Sequence, residues 1–402
     1  MPAPTRSASA SPTHHATLSS LPTELKIKIA CALVEHTRFP ADQRKTLLPL
    51  TLVNHEWQQV CEPIAHEGCF INKSTTAVDR AVLLPCPRLR RFLRSVTFYM
   101  QSRSRKGQPL APLIEGLLAP IERIQTFQIV LDDRGDPEDT ANTLDQLHPF
   151  IRGVRKLNLI ALPSCTPNVL QAAARLLAAC GDLRDLSLSV AQPAENASGE
   201  SHEAYATFNR TVFALSTLRK LILWRRTLDI GSGPQVDWPH LRQIEINWNS
   251  LWDTSSSDAG RALHLFLLFL PQSLVSICVD WSYGCRIRPS FASLSKIEFP
   301  CVATFIQRGL DSDILCLIDP ATPIRRLEYD ILRHKNFVAV NDFRSAQSIK
   351  TIAEVAYTRS DLSPNQEIDL GAWAHRYGIK INGIVPAVAN YGAEEDSNAS
   401  VE

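Results

Sequence analysis

The sequence predicts an α/β chain in which a short all-helical module precedes a long, irregular solenoid with a parallel sheet. Three observations carry this. The chain has 402 residues, too many for one ordinary globular domain unless part of it is a repeat array. From about residue 90 an apolar-x-x-apolar-x-apolar pattern recurs at spacings of 20 to 35 residues. Amphipathic helix candidates lie between these strand-like tails, as parallel strands with crossovers require.

Bulk composition narrows the class. Hydrophobic residues make up 45% and charged residues 21%, ordinary values for a folded globular chain. A net charge of +1 argues against a protein built to coat nucleic acid or an anionic membrane. The ten cysteines are scattered without a C-x-x-C pair, and no signal peptide is evident. Buried reduced thiols in a cytoplasmic or nuclear protein are therefore expected. The longest apolar run, residues 262–270, falls well short of the roughly 20 residues that span a bilayer, so no membrane partner is expected. Residues 1–17 and 393–402 are polar tails with no apolar period and are expected to be disordered. His14 and His15 supply two ligands at most and do not close a zinc shell.

The helical module is placed at residues 18–75. Pro22 suits a first helical turn, where its missing N–H costs nothing, and Ser19 or Ser20 is positioned to cap it. Leu25, Ile29 and Leu33 recur at four-residue spacing, with Ile27, Cys31 and Val34 on an adjoining stripe. Leucines at 47, 48, 50 and 52 mark a second helix, and Trp57, Val60 and Ile64 a third, with Pro63 late in it. A module this small and leucine-rich needs a partner to finish burying it.

The string Leu21-Pro22-Thr23-Glu24-Leu25, then Ile29, then Leu52-Val53 with Trp57 and Pro63, resembles the F-box family. That family opens on Leu-Pro-x-Glu-Leu, keeps an apolar residue four positions on, and closes on a Leu-Val-x-x-x-Trp-like run and a proline. The resemblance covers residues 20–70. Two features depart from it: residues 35–46 are longer than the compact family version, and Lys26 and Lys28 stand where apolar residues are common. The resemblance implies docking on a Skp-type adaptor, which bridges to a cullin scaffold. It assigns contact or support to Leu21, Pro22, Leu25, Ile29, Val53 and Trp57. The alternative is a plain helical cap on the array, with Leu25 and Trp57 as core.

The array is placed at residues 85–385. Its clearest units are Leu93/Val96/Phe98, Ile124/Phe127/Ile129, Val154/Leu157/Leu159, Leu183/Leu186/Leu188, Leu218/Leu221/Leu223, Leu241/Ile244/Ile246, Leu274/Ile277/Val279, Leu294/Ile297/Phe299 and Ile324/Leu327/Tyr329. Weaker versions follow near Ile349/Ile352 and Ile379/Ile381. Helices are expected over 138–151, 166–180, 202–215, 302–309 and around 262–270, the last capped by Asp258. The motif resembles a divergent leucine-rich repeat; the family's turn-bonding Asn or Cys is matched only by Asn249, and most periods exceed the usual 20–29 residues. A β/α barrel of eight units is the structural rival.

No catalytic signature is present: there is no phosphate-binding G-x-x-x-x-G-K-[ST], no H-E-x-x-H and no G-x-S-x-G. Residues 132–136 carry three aspartates but also Arg134, and no glutamate at the twelfth position, so they read as an acidic turn rather than a calcium loop. No enzyme activity, cofactor or metal is expected. The basic run Arg88, Arg90, Arg91, Arg94, Arg103, Arg105 and Lys106 reads either as a phosphate receiver or as a solvated edge. In each unit the residue between the last two apolar positions faces away from the core. With the next outward position, this gathers Trp224, Glu245, Asn247, Asp280, Glu298, Glu328 and Asp330 into a candidate substrate-binding face. The face is expected to be mostly acidic and to hold a basic protein segment, with an ordinary solvated sheet face as the alternative. Together these features predict the substrate receptor of a Skp–cullin–F-box ubiquitin ligase; the alternative is a repeat scaffold for protein interactions without ligase association.

Overall fold

A computed structural model describes residues 18–35, 37, 40–72, 86–100, 124–131, 137–162, 166–190, 193, 197–224, 238–247, 256–280, 291, 293–308, 314–330, 348–358, 371–372 and 374–384. The two tails, the acidic turn at 132–136, Asn249 and the basic residues Arg103, Arg105 and Lys106 lie outside them. The fold is α/β, with a parallel sheet of twelve strands in strict chain order, β1 to β12. That linear order is not the closed ring of eight that a barrel requires. The chain divides into two compact units, Met1–Tyr99 with Ser104–Gln128, and Met100–Arg103 with Ile129–Glu402.

The first unit opens with three helices, α1 (Thr23–Val34), α2 (Pro40–Thr51) and α3 (His55–Ala65). Their core is Ala30, Val34, Leu47, Trp57, Val60, Cys61 and Ala65, with Leu21, Leu50 and Ile64 packed around it. Neither Ser19 nor Ser20 caps α1: Pro22 occupies the cap position, its carbonyl accepting from Leu25 N and Lys26 N, both at 3.1 Å. Residues 18–75 are not all helical. After α3 the chain enters β1 (Gly68–Asn72), which pairs in parallel with β2 (Ser95–Met100) across the short helix α4 (Pro87–Arg90). Cys69 and Ile71 are buried in β1, two alternate positions that are too few to announce a strand.

The second unit repeats one device. Strands β4 (Lys156–Leu162), β5 (Asp185–Val190), β6 (Lys220–Trp224), β7 (Gln243–Asn247) and β8 (Ser276–Asp280) follow one another, and β3 (Thr126–Leu131) precedes them in the chain. Helices α5 (Pro137–Leu147), α6 (Pro167–Ala179), α7 (Gly199–Phe213) and α8 (Ser256–Leu268) connect them where expected, although Asp258 falls inside α8 rather than capping it. Within each unit the first and second motif positions are fully buried: Val154 and Leu157, Leu183 and Leu186, Leu218 and Leu221, Leu274 and Ile277. Each strand is aligned by the backbone just before it. The carbonyl of Arg155 accepts from Arg184 N and Asp185 N, that of Arg184 from Arg219 N and Lys220 N, and that of Arg219 from Arg242 N and Gln243 N, at 2.7 to 3.0 Å.

The carboxy-terminal part departs from the expected plan. Residues 302–309 were expected to be helical but contain β9 (Thr304–Arg308), which lies between β8 and β10 (Arg326–Asp330). Val302 and Phe305 fill the first two motif positions, and the third is Gln307, also buried, so a polar residue hides the repeat. Its Oε1 accepts from Ile314 N at 3.1 Å and so opens the 3-10 turn Ile314–Leu317. Conversely, the apparent unit Leu294/Ile297/Phe299 is no strand of the sheet. Ile297 makes an isolated bridge to Ile318, exchanging hydrogen bonds with Leu317 O and Asp319 N. The two weakest units do become strands, β11 (Glu354–Thr358) and β12 (Lys380–Ile384).

Restoring the apolar pattern at position 307 should therefore destabilise the protein. Gln307→Leu removes the acceptor for the buried Ile314 N–H, a loss worth about 1–3 kcal/mol. Denaturant unfolding should register that loss, and amide exchange should accelerate at Ile314 more than at Phe305.

Candidate functional site

Two surfaces deserve description, one in each unit. The first is carried by α1. Its inward stripe is Lys26, Ala30 and Val34, so Leu25, Ile29 and Leu33, also spaced i, i+4, i+8, line a flank that stays exposed. Ile27 is exposed as well, as are Leu48 on α2 and Leu52 and Val53 just after it; Leu52 is 86% exposed. So many large apolar side chains left in water around a helix bundle make this a candidate interaction surface.

The inward lysine explains the rotation. Lys26 is 1% exposed, and its ammonium pairs with the Glu56 carboxylate on α3. That hydrogen bond, reinforced by the lysine charge, holds the Glu56 carboxyl below the usual carboxylate range. Lys26, at a position where apolar residues are common in the family it resembles, thus ties α1 to α3. Asn54 caps α3, its Oδ1 accepting from Trp57 N at 2.9 Å, and the Trp57 indole N–H donates to Leu18 O at 2.9 Å.

Of the six residues expected to meet an adaptor, Pro22, Leu25, Ile29 and Val53 are exposed. Leu21 is half-buried against the core and Trp57 is fully buried, so these two support the surface rather than form it. Leu33, Leu48 and Leu52 are exposed as well and extend this surface.

The second surface is the strand face of the second unit. Register sets two rows across it: Glu245, Cys278, Ile306 and Glu328 in one, Asn247, Asp280, Arg308 and Asp330 in the next. Asn247 and Asp280 are buried rather than outward in solvent, while Glu245 and Glu328 are half-buried. Glu298 does not belong to the face; it sits exposed beside the Ile297 bridge, because that unit is not a strand. Nor is the face simply acidic. Arg308 pairs with Glu245 at 3.5 Å, and Arg326 lies 3.6 Å from Glu328 and 3.4 Å from Glu354. Trp224 is half-buried, its indole N–H donating to Ser187 Oγ at 2.9 Å, so its ring edge is committed within the sheet. Burial pushes the Cys278 thiol up, which keeps it protonated and unreactive at neutral pH. Among the described residues no group of three or more His, Cys, Asp or Glu side chains could hold a metal ion. No helix among them is long and apolar enough to cross a membrane.

Two outcomes follow for the helical unit. Trp57→Ala should cost about 3–5 kcal/mol through the cavity it leaves, read as a lowered unfolding midpoint. Glu56 has a depressed carboxyl, so its contribution is complete above its unfolded-state pKa and is lost as pH falls through the folded value. The melting temperature of the wild type should therefore drop more steeply between about pH 5 and pH 3 than that of Glu56→Gln, as followed by circular dichroism. The chain matches no protein-family model and no curated protein sequence.

Proposed function

We propose that this chain is the substrate receptor of a cullin-type ubiquitin ligase, docking a Skp-type adaptor through its helical module and a protein substrate through the strand face of the second unit. The observation that carries the reading is the exposed apolar flank of α1, Leu25, Ile29 and Leu33, together with Leu52 and Val53, over a module that has its own buried core. A partner helix laid on these side chains would recover their burial, at roughly 1.5–3 kcal/mol for each one fully covered. The order of Leu-Pro-x-Glu-Leu and Leu-Val-x-x-x-Trp in the sequence gives this flank its proposed partner. In this role the protein is no enzyme. It raises the effective concentration of a bound substrate near the ligase, in the cytoplasm or nucleus.

Co-purification with a Skp-type adaptor tests the reading. The wild type is expected to retain the adaptor, and Leu25→Asp with Val53→Asp to lose it by at least about tenfold in affinity, some 1.4 kcal/mol. Both substituted side chains are exposed, so the variant should keep the wild-type melting transition. Retention of the adaptor by both proteins, or by neither, returns the module to a helical cap and the chain to a scaffold without ligase association.

A further inference from the structure

The register that aligns the strands also aligns charge along their starting edge. The residues immediately before β4, β5, β6 and β7 are Arg155, Arg184, Arg219 and Arg242, and each is joined to the next through the backbone carbonyl contacts described above. Adjacent strands lie about 4.8 Å apart, so the four arginines form a ladder about 14 Å long. The next position on the strands adds Lys156 and Lys220, with Asp185 between them in register.

The described carboxylates do not neutralise this edge. Asp182 is shared, at 3.3 Å from Arg155 and 3.1 Å from Arg184, and Asp185 stands between two lysines. Among the described residues this strand-start edge thus carries six cations and two carboxylates, on a chain whose net charge is only +1. Arg219 is exposed and has no ion pair among the described residues. Arg242 is exposed too, and spends one N–H on Ser273 O at 3.0 Å.

We infer that this arginine ladder is a docking edge for an extended acidic peptide segment of a partner protein. An extended chain rises about 3.3 Å per residue, so four or five residues cover the ladder and set two or three carboxylates, about 6.6 Å apart, against its four guanidinium groups. Nucleic acid fits less well. Among the described residues neither of these two positions carries an aromatic side chain on any strand from β4 to β10, so bases would find no stacking platform there. The inference is independent of adaptor docking, which concerns the other unit, and it adds a second charged element to the substrate-binding role proposed above.

Fluorescence anisotropy of a labelled Glu/Asp-rich decapeptide with the full-length chain, without adaptor, tests it. The wild type is expected to bind in about 0.1 M salt and to release the peptide near 1 M, where the screening length falls to about 3 Å. Arg219→Gln with Arg242→Gln should weaken binding at least about tenfold, some 1.4 kcal/mol. Arg219→Lys with Arg242→Lys should keep most of it, and Arg210→Gln on α7 should change nothing. A wild type that ignores the peptide at low salt overturns the inference, as does equal binding by wild type and the glutamine pair. A single-stranded oligonucleotide of equal charge that outcompetes the peptide on the wild type, and fails to bind the glutamine pair, assigns the edge to nucleic acid and overturns it also.

Discussion

From β5 to β11 each strand is indexed by the carbonyl that precedes its neighbour. One oxygen receives two amide hydrogens, from the residue before the next strand and from that strand's first residue, and the contact recurs through Arg242, Val275, Ala303 and Arg325 to Ala353. This constraint forbids slippage. A shift of one residue would send each buried Leu or Ile to the opposite face. Connections of unequal length are tolerated because the indexing lies in the rim and not in the loops. Two consequences follow: the side chains of each row are neighbours by construction, and charges at equivalent positions accumulate rather than scatter.

That same constraint explains which parts of the fold could be read from the amino-acid order. The strands with a complete apolar triplet were legible, and so were the helices between them, because burial on one face imposes a period. The pattern fails at β9, where Gln307 takes the third apolar position and satisfies a backbone N–H of the following turn. It misleads at Leu294/Ile297/Phe299, which has the right spacing but uses it to pack a bridge to Ile318 outside the sheet. Spacing records that residues are buried together. It does not record which layer buries them.

The helical module carries the reverse lesson. The apolar residues at i, i+4, i+8 on α1 stay exposed, whereas the inward stripe contains a lysine. A buried ammonium is costly unless paired, and the pair needs Glu56, thirty residues away on another helix. No local window contains that information. Motif order did single out Leu25, Ile29 and Val53, which stay in water, but not Leu33 or Leu48, which are exposed as well.

Exposed leucines and a ladder of arginines place opposite demands on a partner. The apolar flank gains from burial itself, which is non-directional and weakly dependent on salt, so it suits a constitutive contact. The arginine edge gains from charge at short range, is screened by salt, and favours fast, reversible association. The proposed receptor would hold one partner while exchanging another, which calls for both kinds of surface on separate elements. Here the first is built from the three helices of one unit, where Lys26 and Glu56 fix the rotation of α1. The second is built from strand starts in the other, where the carbonyl indexing that secures the sheet also sets the spacing of the guanidinium groups.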